Sequence, residues 1–285
     1  MTDSLYNSSA TTMSAKTFSR FSAFIKTEIG INMPDAKKTM LQARLQKRLR
    51  KLGIKTFEEY YDYVFSPAGV EKELANMIDV ITTNKTDFFR EPQHFDYLVQ
   101  TVLPELISTR GMKKKAMVWS AGCSSGEEVY TLAMVLSEFS YKFPGFQYSI
   151  LGTDISTKVL KEAVVGIYDH EKVEPVPLTL RKKYLLRSKD KEKQLVRIAP
   201  ELRSLVSFRR VNFMENDLGI REAVDIIFCR NVLIYFDRPT QEKVLNRLCR
   251  YLKPGGYMFM GHSETLSGLN VSLIPACSTV YKNPR

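Results

Sequence analysis

The chain has few cysteines and no long apolar run. Its 285 residues include four cysteines and three histidines, and the cysteines show no CxxC spacing and no nearby histidine pair. We therefore expect no bound metal and no disulfide framework, and reduced thiols indicate the cytoplasm. No run approaches the roughly 20 apolar residues of a membrane-spanning helix, and the Ser/Thr-rich start lacks an apolar signal segment, so direct membrane insertion and secretion are not expected.

Acidic residues are outnumbered by basic ones. The sequence has 42 Lys+Arg against 31 Asp+Glu, for a formal net charge of +11. With 44% hydrophobic and 26% charged residues, the composition is that of a folded globular protein with one large domain or two ordinary ones. A basic excess attracts nucleic acids, acidic membranes and acidic proteins alike, so it does not identify the partner.

Much of the excess lies in one stretch without acids, between Ala36 and Lys55. Leucines at positions 41, 45, 49 and 52 predict an amphipathic helix with a positive outer face. Because no acid relieves the repulsion along this helix, we interpret the face as a docking surface for a negatively charged partner, with an ordinary solvated face as the alternative. The residues assigned to it are Lys37, Lys38, Arg44, Lys47, Arg48 and Lys51.

The apolar pattern divides the chain into a helical part and an α/β part. We expect a disordered tail at 1–15, a helical domain at 16–90 and a connector at 91–115. One of the predicted helices covers 69–81. From residue 116 to 285, short β-rich runs alternate with helical patterns, which predicts a doubly wound parallel sheet. The β-rich runs are 117–120, 148–152, 206–208, 224–229, 257–260 and 279–281.

An insertion at about 170–205 interrupts the α/β pattern. Two β-rich runs there flank a charged turn at 188–194, which predicts a small antiparallel hairpin added to the main sheet.

Ligands of an open α/β sheet bind at the carboxyl ends of the strands, where the strand order reverses. The turn at 120–128 follows the first strand and contains two glycines, which allow close approach to the backbone. Glu127 and Glu128 begin the next helix, where their charge would oppose a pyrophosphate but suit a cation. Asp154 ends the second strand and can accept hydrogen bonds from ribose hydroxyls. Together these features favour S-adenosylmethionine, a cationic nucleoside, over NAD.

Two further strand ends carry polar groups. Asn212 and Phe213 follow the third strand, where an adenine edge could meet an amide and an aromatic ring. Asn231 and Tyr235 follow the fourth strand. Since packing of a buried strand does not require polar side chains at its end, these two residues are candidates for a functional role. For Tyr235, a core ring with its hydroxyl at the surface is the alternative.

At these positions the sequence resembles the CheR-type methyltransferases, which methylate glutamate side chains of bacterial chemoreceptors. The resemblance covers nearly the whole chain, and its combined motifs are far more specific than one glycine turn. The segments that carry it are TTNKTDFFR at 82–90, GEE at 126–128, GTD at 152–154, FCRNVLIYFD at 228–237, LKPGG at 252–256 and GHSE at 261–264.

The resemblance implies an all-α N-terminal domain, a Rossmann-like S-adenosylmethionine-dependent methyltransferase domain, and a small antiparallel β-subdomain inserted in it. It implies methyl transfer to receptor glutamates, giving methyl esters and S-adenosylhomocysteine, for adaptation in chemotaxis-type signalling. Arg90 and Tyr235 would lie beside the reacting methyl group. The implied cofactor-binding residues are Asn84, Thr86, Arg90, Glu128, Asp154, Asn212, Phe213, Asn231 and Val232.

The implied partners are the cytoplasmic helical domains of methyl-accepting chemoreceptors, docked through the basic helix, and we expect a monomer that binds no nucleic acid. Some family members also hold a receptor's C-terminal pentapeptide on the β-subdomain and are glycine-rich at its hairpin turn. The turn at 188–194 has no glycine, which argues against such tethering here.

Other functions are less well supported. A nucleic-acid methyltransferase would carry an Asn/Asp-Pro-Pro-aromatic run after the fourth strand or a Pro-Cys nucleophile, and both are absent. A cofactor-binding signalling module without catalysis would not need Arg90 or Tyr235, and an NAD-linked dehydrogenase would carry GxGxxG. The three histidines receive no catalytic role, and a structural role is expected for His262.

Overall fold

The structure is a computed structural model that describes residues 12–112, 114–190 and 192–284. Two compact units divide the chain between Thr83 and Asn84. Most of the tail expected at 1–15 lies outside the described residues, and Ser14 already caps the first helix. No helix in the described residues is long and apolar enough to cross a membrane.

The first unit is helical, as predicted. Its described helices are α1 (Ala15–Phe24), α2 (Lys38–Leu52), α3 (Phe57–Val64), α4 (Pro67–Lys72) and α5 (Leu74–Ile81). A π-helical turn, Ile25–Ile29, extends α1, and a 3-10 turn, Asp35–Lys37, leads into α2. Ser14, Thr56 and Ser66 each accept a hydrogen bond from the backbone N–H three residues later, which fixes where α1, α3 and α4 begin.

The basic helix forms as α2, but two of its arginines are not free. Glu73, which is 2% exposed, accepts hydrogen bonds from Nε and Nη2 of Arg48 at 2.7 and 2.6 Å. Arg44 donates to the carbonyls of Ile81 and Thr82. These two guanidinium groups therefore hold the unit together.

Of the other residues of the predicted docking face, Lys37 donates from Nζ to the Asn32 carbonyl at 3.0 Å. Lys47 and Lys51 are exposed, and Lys37 and Lys38 are partly buried. Leu41, Leu45 and Leu49 are buried as predicted, whereas Leu52 is 36% exposed. Glu73 also interrupts the single helix predicted over 69–81, because its φ of −120° departs from helical geometry between α4 and α5.

The second unit has helices on a mixed sheet. Its helices are α6 (Gln93–Tyr97), α7 (Leu103–Arg110), α8 (Glu127–Lys142), α9 (Thr157–Val165), α10 (Leu178–Tyr184), α11 (Pro200–Arg203) and α12 (Arg238–Cys249). A π-helical turn, Leu98–Val102, joins α6 to α7. Its strands are β1 (Ala116–Ala121), β2 (Tyr148–Asp154), β3 (Ile167–Asp169), β4 (Leu185–Arg187), β5 (Leu195–Ile198), β6 (Val206–Arg210), β7 (Val224–Cys229), β8 (Leu252–Met260), β9 (Ile274–Cys277) and β10 (Val280–Lys282).

The main sheet has the order β6-β2-β1-β7-β8-β10-β9. Its first five strands are parallel, which confirms the doubly wound prediction, while β10 and β9 add an antiparallel edge. Every residue of β7 is buried, as expected for a central strand covered on both faces. The strand order reverses between β1 and β7, so the carboxyl ends of these strands form the ligand-binding position of this fold.

The segment expected to be a connector, 91–115, belongs to the second unit. Phe95, Leu98 and Val102 are buried in its core, because the apolar residues around α6 form a stripe that must be covered. This places the boundary between the units before residue 84, earlier than the expected boundary at 90.

The insertion forms a sheet of its own. The predicted hairpin is present as β4 and β5, but in the described residues β5 also pairs with β3, Ile167 opposite Arg197, and the order is β3-β5-β4. The prediction that the hairpin joins the main sheet is therefore wrong. The sequence pattern missed β3 because it has only three residues and directly follows α9 through Gly166, whose φ is 62°.

Candidate functional site

The turn after β1 and the turn after β7 meet closely. Gly122 has a φ of 88°, and a Cβ atom on it would lie 2.3 Å from Cγ2 of Val232. Only glycine fits at such an approach without displacing the neighbouring loop. Gly126, with φ of 94°, then begins α8. The glycines noted in the sequence thus let two strand ends come together.

The two acids that begin α8 have different surroundings. Glu127 is buried and accepts a hydrogen bond from Ser125 Oγ at 2.7 Å. Glu128 accepts one from Ser120 Oγ at 2.7 Å, and its Oε2 lies 3.5 Å from Nη1 of Arg230. Burial raises the pKa of both carboxyl groups above the ordinary value. Glu128 is therefore the acid that lies beside the end of β7.

Asp154 at the end of β2 is fixed by backbone donors. Its two oxygens accept the N–H groups of Ser124 and Ser156, each at 2.9 Å. The same contact holds Ser124 at a φ of 49°, which is unusual for a residue other than glycine.

The segment after Thr83 lies across these strand ends. Ser124 Oγ donates to the carbonyl of Asn84 at 2.7 Å, and the Phe89 N–H donates to Thr131 Oγ1 at 3.1 Å. Arg230 donates to the carbonyl of Arg90. Within the second unit, the structure thus brings the predicted residues Asn84 and Arg90 to the site that contains Glu128 and Asp154.

Arg230 holds this arrangement together, although the sequence analysis gave it no role. Its side chain is 2% exposed and lies 3.2 Å from Glu91 and 3.5 Å from Glu128. Burial opposes ionisation of Glu91, but Arg230 and the His262 N–H hold the Glu91 pKa below its ordinary value. An arginine directly after the predicted central strand was the signal, since a buried charge requires partners.

A second buried acid, Glu264, shapes the loop after β7. Its oxygens accept the N–H groups of Gly261, Asn231, Val232 and Leu233 at 2.7 to 2.9 Å. Burial raises the Glu264 pKa, and these four donors oppose that rise. Asn231 is held at a φ of 59°. The GHSE motif contained this residue, but only the structure connects it with the predicted residues Asn231 and Val232.

The two predicted catalytic side chains make no side-chain hydrogen bonds to the described residues. Arg90 and Tyr235 are both partly buried, and neither side chain has a hydrogen-bond partner among the residues that the structure describes. Tyr235 ends a 3-10 turn, Leu233–Tyr235, and is not a core ring. Thr86 is also partly buried.

Asn212 and Phe213 follow β6, which neighbours β2 in the sheet. The preceding Val211 N–H donates to the Asp154 carbonyl at 2.9 Å, which places this turn beside the end of β2. Asn212 Oδ1 accepts the Met214 N–H at 3.0 Å, and the Phe213 ring is buried. Both predicted residues therefore adjoin Asp154.

Comparison with known proteins decides the family. A family model described as "CheR methyltransferase, SAM binding domain" matches residues 84–281, and one described as "CheR methyltransferase, all-alpha domain" matches residues 16–82. The chain belongs to the CheR methyltransferase family. The family resemblance read from the sequence is thereby confirmed.

Curated relatives agree with this assignment. A "Chemotaxis protein methyltransferase" of Borreliella burgdorferi is 40% identical over 93% of this chain and 93% of its own length. "Chemotaxis protein methyltransferase 2" of Pseudomonas aeruginosa is 38% identical over 88% of this chain and 87% of its own. The Escherichia coli "Chemotaxis protein methyltransferase" is 37% identical over 93% of this chain and 89% of its own.

This CheR methyltransferase is an S-adenosylmethionine-dependent enzyme, and the side chains at its strand ends suit that cofactor. The carboxylates of Asp154 and Glu128 match the hydroxyl and ammonium groups of that cofactor in charge and hydrogen bonding, and Gly122 leaves the backbone accessible. The acids at the start of α8 would repel a pyrophosphate, so a dinucleotide fits less well. The NAD-linked alternative is not supported.

The contact at Gly122 leads to a first prediction. Gly122→Ala places a methyl group against Val232, so we expect S-adenosylhomocysteine affinity to fall on the order of tenfold or more, measured by calorimetry. Gly111→Ala is the matched control, since Gly111 has a similar φ of 83° but nothing within 4 Å of the added Cβ. It should lose about 1–3 kcal/mol of stability and keep its affinity. Equal affinity loss in both variants would contradict the prediction.

A second prediction concerns Glu264. Glu264→Gln replaces an acceptor oxygen with an NH₂ group that faces backbone donors, so the loop carrying Asn231 and Val232 should shift. We expect S-adenosylhomocysteine affinity to fall on the order of tenfold. Glu242→Gln is the control, because Glu242 is likewise a glutamate that accepts a backbone N–H, in its case only that of Asn270 at 2.8 Å among the described residues. Unchanged affinity in Glu264→Gln would show that this carboxylate does not position the loop.

Proposed function

We propose that this chain transfers the methyl group of S-adenosylmethionine to glutamate side-chain carboxylates of chemoreceptors. The products are glutamate methyl esters and S-adenosylhomocysteine. The observation that carries the proposal is that Arg90 and Tyr235 of this CheR methyltransferase are partly buried at the strand-end site without a side-chain hydrogen bond to the described residues. Neither nucleic-acid methylation nor cofactor binding alone requires this pair.

Methyl transfer to a glutamate requires the enzyme to orient the carboxylate more than to activate it. A glutamate side chain has an ordinary pKa of about 4.3, so it is ionised at neutral pH and needs no general base. The bound cofactor supplies an electrophilic methyl group on a sulfonium. We propose that Arg90 draws the carboxylate in electrostatically and that Tyr235 orients it with a hydrogen bond. Correct positioning of two reactants can lower a barrier by roughly 7–11 kcal/mol.

The cofactor would be held by residues on both sides of the position between β1 and β7 where the strand order reverses. Asp154, Asn212 and Phe213 would bind the nucleoside, and Glu128 would bind the amino group. We assign the remaining contacts to the segment and loop that Arg230 and Glu264 hold in place. The residues of this last group are Asn84, Thr86, Arg90, Asn231 and Val232.

Receptor docking would use the lysines of α2. Lys47 and Lys51 are exposed, whereas Arg44 and Arg48 are bonded within the first unit. We therefore propose that Lys47 and Lys51, assisted by Lys37 and Lys38, contact acidic helical domains of chemoreceptors. The enzyme would act as a monomer in the cytoplasm, where those domains lie.

The catalytic proposal predicts separate effects for its two residues. Tyr235→Phe removes one hydrogen bond to a charged group, worth about 1.5–3 kcal/mol, so kcat should fall about 10- to 100-fold with unchanged S-adenosylhomocysteine affinity. Arg90→Ala should abolish methyl transfer in a folded protein. The controls are Tyr141→Phe and Lys85→Ala, both at exposed positions of the same unit.

The assay uses labelled S-adenosylmethionine and receptor-containing membranes. Label that base releases from receptor protein as methanol identifies a carboxyl methyl ester. Label recovered in DNA or RNA, or wild-type turnover by Arg90→Ala, would overturn the proposal.

The docking proposal predicts a salt-dependent effect. Reversing both charges, in Lys47→Glu/Lys51→Glu, should raise the receptor KM on the order of tenfold at low ionic strength, and the difference should shrink as salt screens the charges. The control is Lys158→Glu/Lys161→Glu, which changes two exposed lysines of α9 by the same charge. If both double variants raise the KM equally, net charge and not α2 governs binding.

A further inference from the structure

Glu91, His94 and His262 converge beside the site. Each residue offers one atom that can bind a metal ion, and these three atoms all lie within 4.8 Å of one another. Oε2 of Glu91 is 3.5 Å from Nδ1 of His94 and 3.9 Å from Nε2 of His262. The proposed methyl transfer uses neither histidine.

The proton on His94 can be placed from its hydrogen bonds. His94 is 3% exposed, and its Nε2 lies 2.8 Å from Thr279 Oγ1. Thr279 Oγ1 donates its own hydrogen to the Ser278 carbonyl at 2.7 Å, so Nε2 carries the proton and donates to Thr279. The lone pair on Nδ1 therefore points toward Glu91.

That lone pair faces another acceptor. Oε1 of Glu91 accepts the His262 N–H at 3.3 Å and the Asn231 side-chain N–H at 3.5 Å, while Oε2 lies 3.2 Å from Nη2 of Arg230 in an ion pair. Among the described residues, neither Oε2 of Glu91 nor Nδ1 of His94 has a hydrogen-bond partner, and both atoms are buried. Two buried acceptors 3.5 Å apart with no hydrogen between them are costly, and a cation between them removes that cost.

We propose that Glu91, His94 and His262 bind a divalent transition-metal ion of the Zn²⁺ class, through Oε2, Nδ1 and Nε2 respectively. Two imidazoles and one carboxylate favour such ions over Mg²⁺ or Ca²⁺. Zinc ligands lie about 2.0–2.2 Å from the ion. The exposed His262 side chain, at 53%, can move inward to close the remaining distance.

The surroundings support this assignment. The His94–Thr279 hydrogen bond orients the imidazole, as a partner on the second ring nitrogen does for metal-bound histidines. The carboxylate of Glu91 faces the two imidazoles directly, so it brings a negative charge to the ion. The ion would share Glu91 with Arg230, which itself holds the Arg90 carbonyl. Metal binding would thus take place next to the methyl-transfer site.

The test is a Co²⁺ titration of the full-length reduced chain without a histidine tag, followed by visible absorption and reversed with Zn²⁺. We expect one equivalent of Co²⁺ with a spectrum of nitrogen and oxygen ligands. The chain has three histidines, so single variants assign the site. His262→Ala should weaken binding on the order of tenfold or more, and His170→Ala should leave it unchanged.

Several outcomes would overturn the assignment. The first is that the wild-type chain does not bind Co²⁺. The second is that His262→Ala binds Co²⁺ as tightly as the wild-type chain, or that His170→Ala weakens binding as much as His262→Ala does. The third is a Co²⁺–thiolate spectrum, which would point to the exposed Cys277. Because His262 is exposed, its replacement should leave the chain folded. Unchanged S-adenosylhomocysteine binding by the same samples would show that the variant is folded. Because this measurement does not depend on metal binding or on methyl transfer, the metal proposal can fail while the methyl-transfer proposal stands.

Discussion

One buried guanidinium, that of Arg230, joins the parts of the candidate site. Removing such a charge from water costs several kcal/mol, and here the carboxylates of Glu91 and Glu128 and the carbonyl of Arg90 offset the cost. These partners come from the segment before α6 and from the start of α8. Because the charge needs all of them, the end of β7 cannot move independently of the segment that carries Arg90.

The site also concentrates unusual backbone conformations. Phe89, Glu91, Ser124 and Asn231 all have positive φ values between 49° and 59°. Each such conformation costs on the order of 1–3 kcal/mol and persists only where surrounding contacts fix it. The side chains of Asp154 and Glu264 provide such contacts for Ser124 and Asn231. The interior acids thus hold the loops ready for a ligand before it arrives.

Local patterns predicted the parts of this protein that local physics determines. Alternating strands and helices predicted the parallel sheet, and motifs placed Glu128 and Asp154 at neighbouring strand ends, where the structure has them. Partners far apart in sequence escaped prediction: Glu73 for Arg48, Glu91 for Arg230, and Glu264 for the loop after β7. The main sheet's last strand pair shows the same limit, since β9 is short, exposed and recognisable only by its pairing with β10.

The position of β10 has a practical consequence. This strand lies between β8 and β9, and Asn283 just after it exchanges backbone hydrogen bonds with Gly255 and Gly256 at the start of β8. Since β8 runs from there toward the ligand-binding edge, polypeptide attached after Asn283 departs from the far edge of the sheet. A fluorescent or affinity fusion joined there would leave access for the cofactor open, whereas trimming β10 would remove the strand that joins β8 to β9.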